Sequence, residues 1–136
     1  MKKRDVDFEG TIQKLEGALA GLDDVVFAYL HGSFVGTEEF RDVDVAIYLN
    51  DHAVISVDTV EYEISLSLKL EEAIGLPLDV KILNHAPLSF RYHASAGRLL
   101  LTRDESARED FLRRTWSEYF DFAHLARIYQ EDLTRA

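Results

Sequence analysis

The stretch that most limits what this chain can become is Asp42-Val43-Asp44-Val45-Ala46-Ile47-Tyr48-Leu49, an apolar run headed by two alternating carboxylates. It reads as a strand. Alternate strand side chains share a face, so Asp42 and Asp44 point one way, roughly 6.6 Å apart, while Val43, Val45, Ile47 and Leu49 point the other. Two further runs read the same way. Val25 to Leu30 is closed by His31-Gly32-Ser33, and Leu78 to Leu83 carries Asp79 at its start, with Leu78, Val80 and Ile82 on the opposite face.

Helices are expected between and around these strands. Ile12, Leu15, Leu19 and Leu22 recur at helical spacing over about Phe8 to Leu22, with Gly21 near the end. The segment from Glu61 to Gly75 is ambiguous. Tyr62, Ile64, Leu66, Leu68 and Leu70 alternate as in a strand, but Leu, Glu, Lys and Ala favour a helix. Val60, Ile64 and Leu68, and then Leu70 and Ile74, also fall on neighbouring helical rows before Gly75 and Pro77, so a helix is predicted. Pro87 to Ala96 suits a short helix, and Arg98 to Thr102 a short edge strand. A long helix is predicted from Asp104 to about Leu133, with the row Phe111, Thr115, Tyr119, Phe122, Ala126, Tyr129 and Leu133. The fold class is therefore α/β in the α+β sense, a small mixed sheet flanked by helices.

That order brings the polar features together. A right-handed helical crossover makes the second and third strands parallel, so their starts share one sheet edge. A short connection makes the first pair antiparallel, and Gly32-Ser33 meets the start of the second strand. Asp42, Asp44 and Asp79 then converge beside Gly32 and Ser33. Three carboxylates so placed repel one another, and a bound divalent cation removes the repulsion. Oxygen-only ligands suit Mg²⁺ or Mn²⁺ rather than Zn²⁺. Gly32 lets a phosphate approach the backbone, and Ser33 offers a hydroxyl and an N–H, at the start of a helical turn. The combination points to metal-assisted phosphoryl chemistry.

Composition narrows the classes. At 136 residues and 47% hydrophobic, the chain has room for one core, and no low-complexity tract, repeat or linker divides it. The formal net charge of −10 leaves Lys2-Lys3-Arg4 as the only basic cluster, at a terminus expected to be loose. Such a surface repels polyanions, so no direct nucleic-acid grip is expected. Without cysteine, disulfides and thiolate metal sites are excluded. No apolar run approaches the ~20 residues of a membrane span and the start lacks a signal-peptide core, so a cytoplasmic protein is expected.

Gly-Ser, a short spacer, Asp-x-Asp heading an apolar strand and a third Asp on a later strand resemble the polymerase-beta-type nucleotidyltransferase superfamily. More narrowly, "HGSF", "FRDVDVAIYL", "LPLDVKILNHAP" and "GRLLLTRDESAREDFLRRTWSEYFDF" resemble the minimal nucleotidyltransferases of the MntA type, antitoxin partners of HEPN-domain toxins. The resemblance covers nearly the whole chain beyond about residue 20. It implies a single minimal nucleotidyltransferase domain over 1–136, ATP as donor, and AMP transfer to a tyrosine of a partner HEPN toxin, whose RNase activity is thereby blocked. It also implies that Gly32 and Ser33 hold the triphosphate, that Asp42 and Asp44 bind metal, and that Asp79 shares a metal and helps deprotonate the incoming hydroxyl. The chain departs from many superfamily members in two ways. The usual Arg-Gly after Gly-Ser is missing, and the spacer from Phe34 to Arg41 is short, with Arg41 in place of a Ser.

Other residues have plainer readings. Lys81 shares a face with Asp79 and reads first as a surface lysine or that carboxylate's ion-pair partner, with a phosphate contact as the alternative. Arg41 offsets local negative charge. His31, His52, His85, His93 and His124 show no ligand spacing, and none is assigned. The aromatic row Trp116, Tyr119, Phe122 and Tyr129 reads as the helix face covering the sheet, and any excess left exposed as a partner surface. Two other functions stay open: a non-catalytic antitoxin that masks its partner by binding, and a small-molecule nucleotidyltransferase needing an acceptor pocket.

Overall fold

The computed structural model describes residues 1–135, and in it all three apolar runs are strands of one sheet. Strand β1 spans Val25–His31, β2 Val43–Leu49, β3 Leu78–Ile82 and β4 Arg98–Thr102, in the spatial order β3-β2-β1-β4. β1 is antiparallel to β2 and β4, and β2 is parallel to β3, as the crossover argument requires. The helices are α1 (Phe8–Ala20), α2 (Ser33–Gly36), α3 (Asp51–Ser56), α4 (Thr59–Ile74), α5 (Leu88–Ser95) and α6 (Glu105–Arg135). The ambiguous segment is helical. Asp58 caps α4 by accepting from Glu61 N at 3.1 Å, and Gly75 ends it with φ 73°. Helix α3 was not anticipated; Asn50 starts it by accepting from Ala53 N at 2.8 Å.

Strand alternation sorts the core into two layers. Val43, Val45, Ile47 and Leu49 join Val80 and Ile82 under Ile12, Leu15 and Leu19 of α1 and Leu66 and Leu70 of α4. On the opposite face, Phe27, Tyr29 and Ala46 pack with Ala94 of α5 and Phe111 of α6. Phe27 and Tyr48 stack at 4.8 Å, and Phe111 closes on both at 5.4 Å. The carboxylates of β2 and β3 lie on this second face, toward its uncovered end.

The outer edge of β3 is closed by side chains. Glu71 Oε1, Ser67 Oγ and Glu63 Oε2 accept from the backbone N–H groups of Leu78, Val80 and Ile82 at 2.9, 2.9 and 2.8 Å. Four helical residues rise about 6 Å and two strand residues about 6.6 Å, so an i, i+4 row on α4 keeps step with every second amide of β3. The edge is thus protected from pairing with another strand.

Two expectations are corrected. The basic N-terminus is pinned rather than loose: Lys3 N donates to Glu38 O at 2.7 Å, Phe40 N donates to Met1 O at 2.9 Å, and Lys3 Nζ sits 4.2 Å over the Phe8 ring. The aromatic row of α6 covers the sheet only through its first part. Phe111 and Thr115 are buried, Trp116 reaches Ser95, and Tyr119 stacks on Tyr92 at 3.7 Å, whereas Phe122 and Tyr129 are exposed because the helix outruns the sheet. Among the described residues no helix is long and apolar enough to cross a membrane.

Candidate active site

The site grows from strand register. His31 of β1 faces Asp44 of β2, and Asp44 faces Asp79 of β3, so the three side chains form one row across three strands. Asp42 lies just before β2, exposed, and its charge acts on Asp44. The chain then turns at Gly32 with φ 79° and ψ −160°. A Cβ there would run into the Asp44 carboxylate, and the positive φ strains any L side chain, so the turn selects glycine where the end of β1 meets the carboxylate. Ser33 follows, half-buried, opening the single turn α2, whose Val35 and Gly36 amides donate to Gly32 O at 3.2 Å each. Structure and sequence agree on this gathering: Gly32, Ser33, Asp42, Asp44 and Asp79 occupy one end of the sheet.

Electrostatics mark Asp44 as the centre. Burial, then the neighbouring charges of Asp42 and Asp79, push its carboxyl from the ordinary 3.8 up to about 6. His31 completes the row and was not picked out by sequence spacing. Its ring meets Phe90 edge-on at 5.4 Å, and its Nε2 is buried without a hydrogen-bond partner. Burial lowers its pKa, against an opposing pull from Asp79. The signal that could have found it was parity: His31 shares a strand face with Tyr29 and Phe27 and therefore with Asp44 across the ladder. Arg41 is exposed, and Lys81 is exposed and joins no salt bridge among the described residues, so of its two plain readings the structure shows the surface lysine and not the ion pair.

The donor set fits a hard divalent cation. Asp44, whose carboxyl is pushed up by burial and then by the charges of Asp42 and Asp79, sits beside the Gly32 turn, and a cation would relieve that crowding of negative charge. Among the described residues no three Asp, Glu or His side chains form a preassembled metal cage.

A mixed sheet that gathers an Asp-x-Asp pair, a third aspartate and a Gly-Ser turn at one end defines a phosphoryl-transfer domain of the nucleotidyltransferase kind. The family described as "Polymerase beta, Nucleotidyltransferase" matches residues 13–106, a span that contains all five site residues, and the chain belongs to that family. No curated protein sequence matches the chain. Among solved structures, the chain is similar to one in the complex of a tri-AMPylated Shewanella oneidensis HEPN toxin with its MNT antitoxin. The TM-score is 0.69 at 19% identity, covering 94% of this chain and 99% of that one. It is also similar to a chain of the MntA–HepT toxin–antitoxin (TM-score 0.67, 19% identity, 93% and 98% covered) and of a toxin–antitoxin with AMP-PNP (0.69, 20%, 90% and 98%). At such identities the likeness establishes the fold.

Proposed function

We propose that residues 1–136 form a single minimal nucleotidyltransferase domain that moves AMP from ATP to a tyrosine of a HEPN-type toxin in the cytoplasm and so acts as its antitoxin. The observation that carries the reading is the His31–Asp44–Asp79 register, which sets two of the carboxylates side by side next to the Gly32 turn. Support for the partner comes from the fold shared with MNT antitoxins bound to HEPN toxins, one toxin tri-AMPylated and one complex holding AMP-PNP.

In this mechanism Gly32 and Ser33 receive the β- and γ-phosphates through the backbone and hydroxyl. Asp42 and Asp44 would hold Mg²⁺ or Mn²⁺ on the nucleotide side, and Asp79 would share that role on the acceptor side. The cation, when bound, neutralises the phosphate charge and polarises the α-phosphorus. The tyrosine oxygen forms a bond to the α-phosphorus, the bond to the β-phosphate oxygen breaks, and pyrophosphate leaves toward Gly32. The phenolic proton passes to the Asp79 carboxylate and on to water. Positioning and charge neutralisation supply most of the acceleration. His31, held neutral by burial, adds no charge to the row.

The test uses labelled ATP, Mg²⁺ and the purified HEPN-type partner. The expected result is AMP on a partner tyrosine. Asp79→Asn should keep the complex but lose the label, and Asp42→Ala with Asp44→Ala should abolish transfer while the fold persists. A complex that forms and protects without any label favours the binding-only antitoxin. Label on small molecules with the partner unmodified favours the small-molecule transferase.

A further inference from the structure

We propose that the groove between α4 and the outer edge of β3 is the acceptor-docking surface, taking a basic protein segment that lays apolar side chains on Val60, Ile64 and Leu68 and so delivers its hydroxyl to Asp79. This rests on the transferase reading and adds where the acceptor approaches and what it must look like.

Val60, Ile64 and Leu68 are 62%, 57% and 61% exposed, although the same helix buries Leu66 and Leu70. Their i, i+4, i+8 spacing makes them one continuous apolar row. The row runs into the site: with Asp79 and Lys81 it lines a cavity of about 310 Å³. Lys81 and Glu63 are shared with a second cavity of about 370 Å³ walled by Ile82, Pro87 and Phe90. A largely apolar cavity adjoining an apolar row is the form of an anchor pocket for a large partner side chain.

The reaction's direction selects this side. In an in-line displacement the entering oxygen and leaving pyrophosphate lie on opposite sides of the phosphorus. Gly32 ends β1, Asp44 sits on β2 and Asp79 on β3, so pyrophosphate leaving toward β1 requires the hydroxyl to enter past β3. The groove is that entrance. Because Glu63, Ser67 and Glu71 already occupy the β3 amides, the segment docks through side chains and not as an added strand. Glu63 and Asp79 line the cavity together with the row, within a chain of net charge −10, which selects a basic segment. Lys81, free of any salt bridge among the described residues, is the one cation placed to favour the acceptor hydroxylate.

The experiment compares the full chain with the Ile64→Glu, Leu68→Glu double variant, using the HEPN-type partner, labelled ATP and Mg²⁺. The double variant should keep the thermal shift given by a non-hydrolysable ATP analogue while its KM for the partner rises about tenfold or more. The conservative pair Ile64→Leu, Leu68→Ile should stay within about twofold of wild type. An unchanged partner KM in the Glu variant overturns the proposal. So does a rise seen instead with Phe122→Glu, Tyr129→Glu, which would put docking on the exposed end of α6. Wild-type protein that forms the complex but places no AMP on it refutes the transferase reading, a result distinct from either.

Discussion

Replacing Asp44 by Asn should stabilise the metal-free protein at neutral pH, an effect opposite to that of most changes at a half-buried polar site. The Asp44 carboxyl is pushed from 3.8 to about 6 by burial and by the charges of Asp42 and Asp79. A folded-state pKa raised above the unfolded value means that the native state holds its proton longer. The stability contributed by the protonated form is complete below about pH 3.8 and is lost as pH rises through about 6. A displacement of that size sets a ceiling of about 3 kcal/mol. Because the carboxyl is half-buried, solvent screening brings the expected effect to about 1–2 kcal/mol. For a chain of this length that is about 3–7 °C in Tm. Thermal unfolding in EDTA at pH 7.5 should therefore place Asp44→Asn above wild type by that margin, and the gap should close as the pH is lowered to 4. His31, whose buried ring must charge as the protein acidifies, destabilises both proteins at low pH and largely drops out of the difference. A gap that is absent at pH 7.5, or that ignores pH, would refute the raised Asp44 carboxyl on which the reasoning rests. Mg²⁺ with a non-hydrolysable ATP analogue should reverse the order by stabilising wild type alone.

Two further outcomes follow from backbone geometry. Gly32→Ala forces a β-carbon into contact with Asp44 at φ 79°, and should cost about 1–3 kcal/mol in chemical denaturation and remove the nucleotide-induced thermal shift; full retention of that shift would show that the turn does not hold phosphate. Arg103 reaches back to the end of α1, donating from Nε to Val25 O at 2.9 Å and from Nη2 to Leu19 O and Leu22 O at 3.2 and 3.1 Å. Arg103→Ala should therefore destabilise by about 1–3 kcal/mol, read as a lower urea midpoint, with no change in nucleotide binding.

The sequence alone determined the strands, their parity and the gathering of Asp42, Asp44 and Asp79 with Gly32 and Ser33, because period-2 alternation and the handedness of a helical crossover are local rules that leave few topologies. It also settled α4 as a helix, since the row Val60, Ile64, Leu68 and the stop at Gly75 outweighed the alternation of Tyr62 to Leu70. What that row was for, only the tertiary structure decided. The sequence shows apolar spacing, and nothing local separates a row that meets the core from one turned past the edge of β3. The same reason explains α6, whose apolar row is continuous in sequence while the sheet beneath it stops near Thr115. His31 and the pinned N-terminus were decided there too, one by burial against Phe90 and the other by hydrogen bonds to residues more than thirty positions away, and neither leaves a trace in spacing.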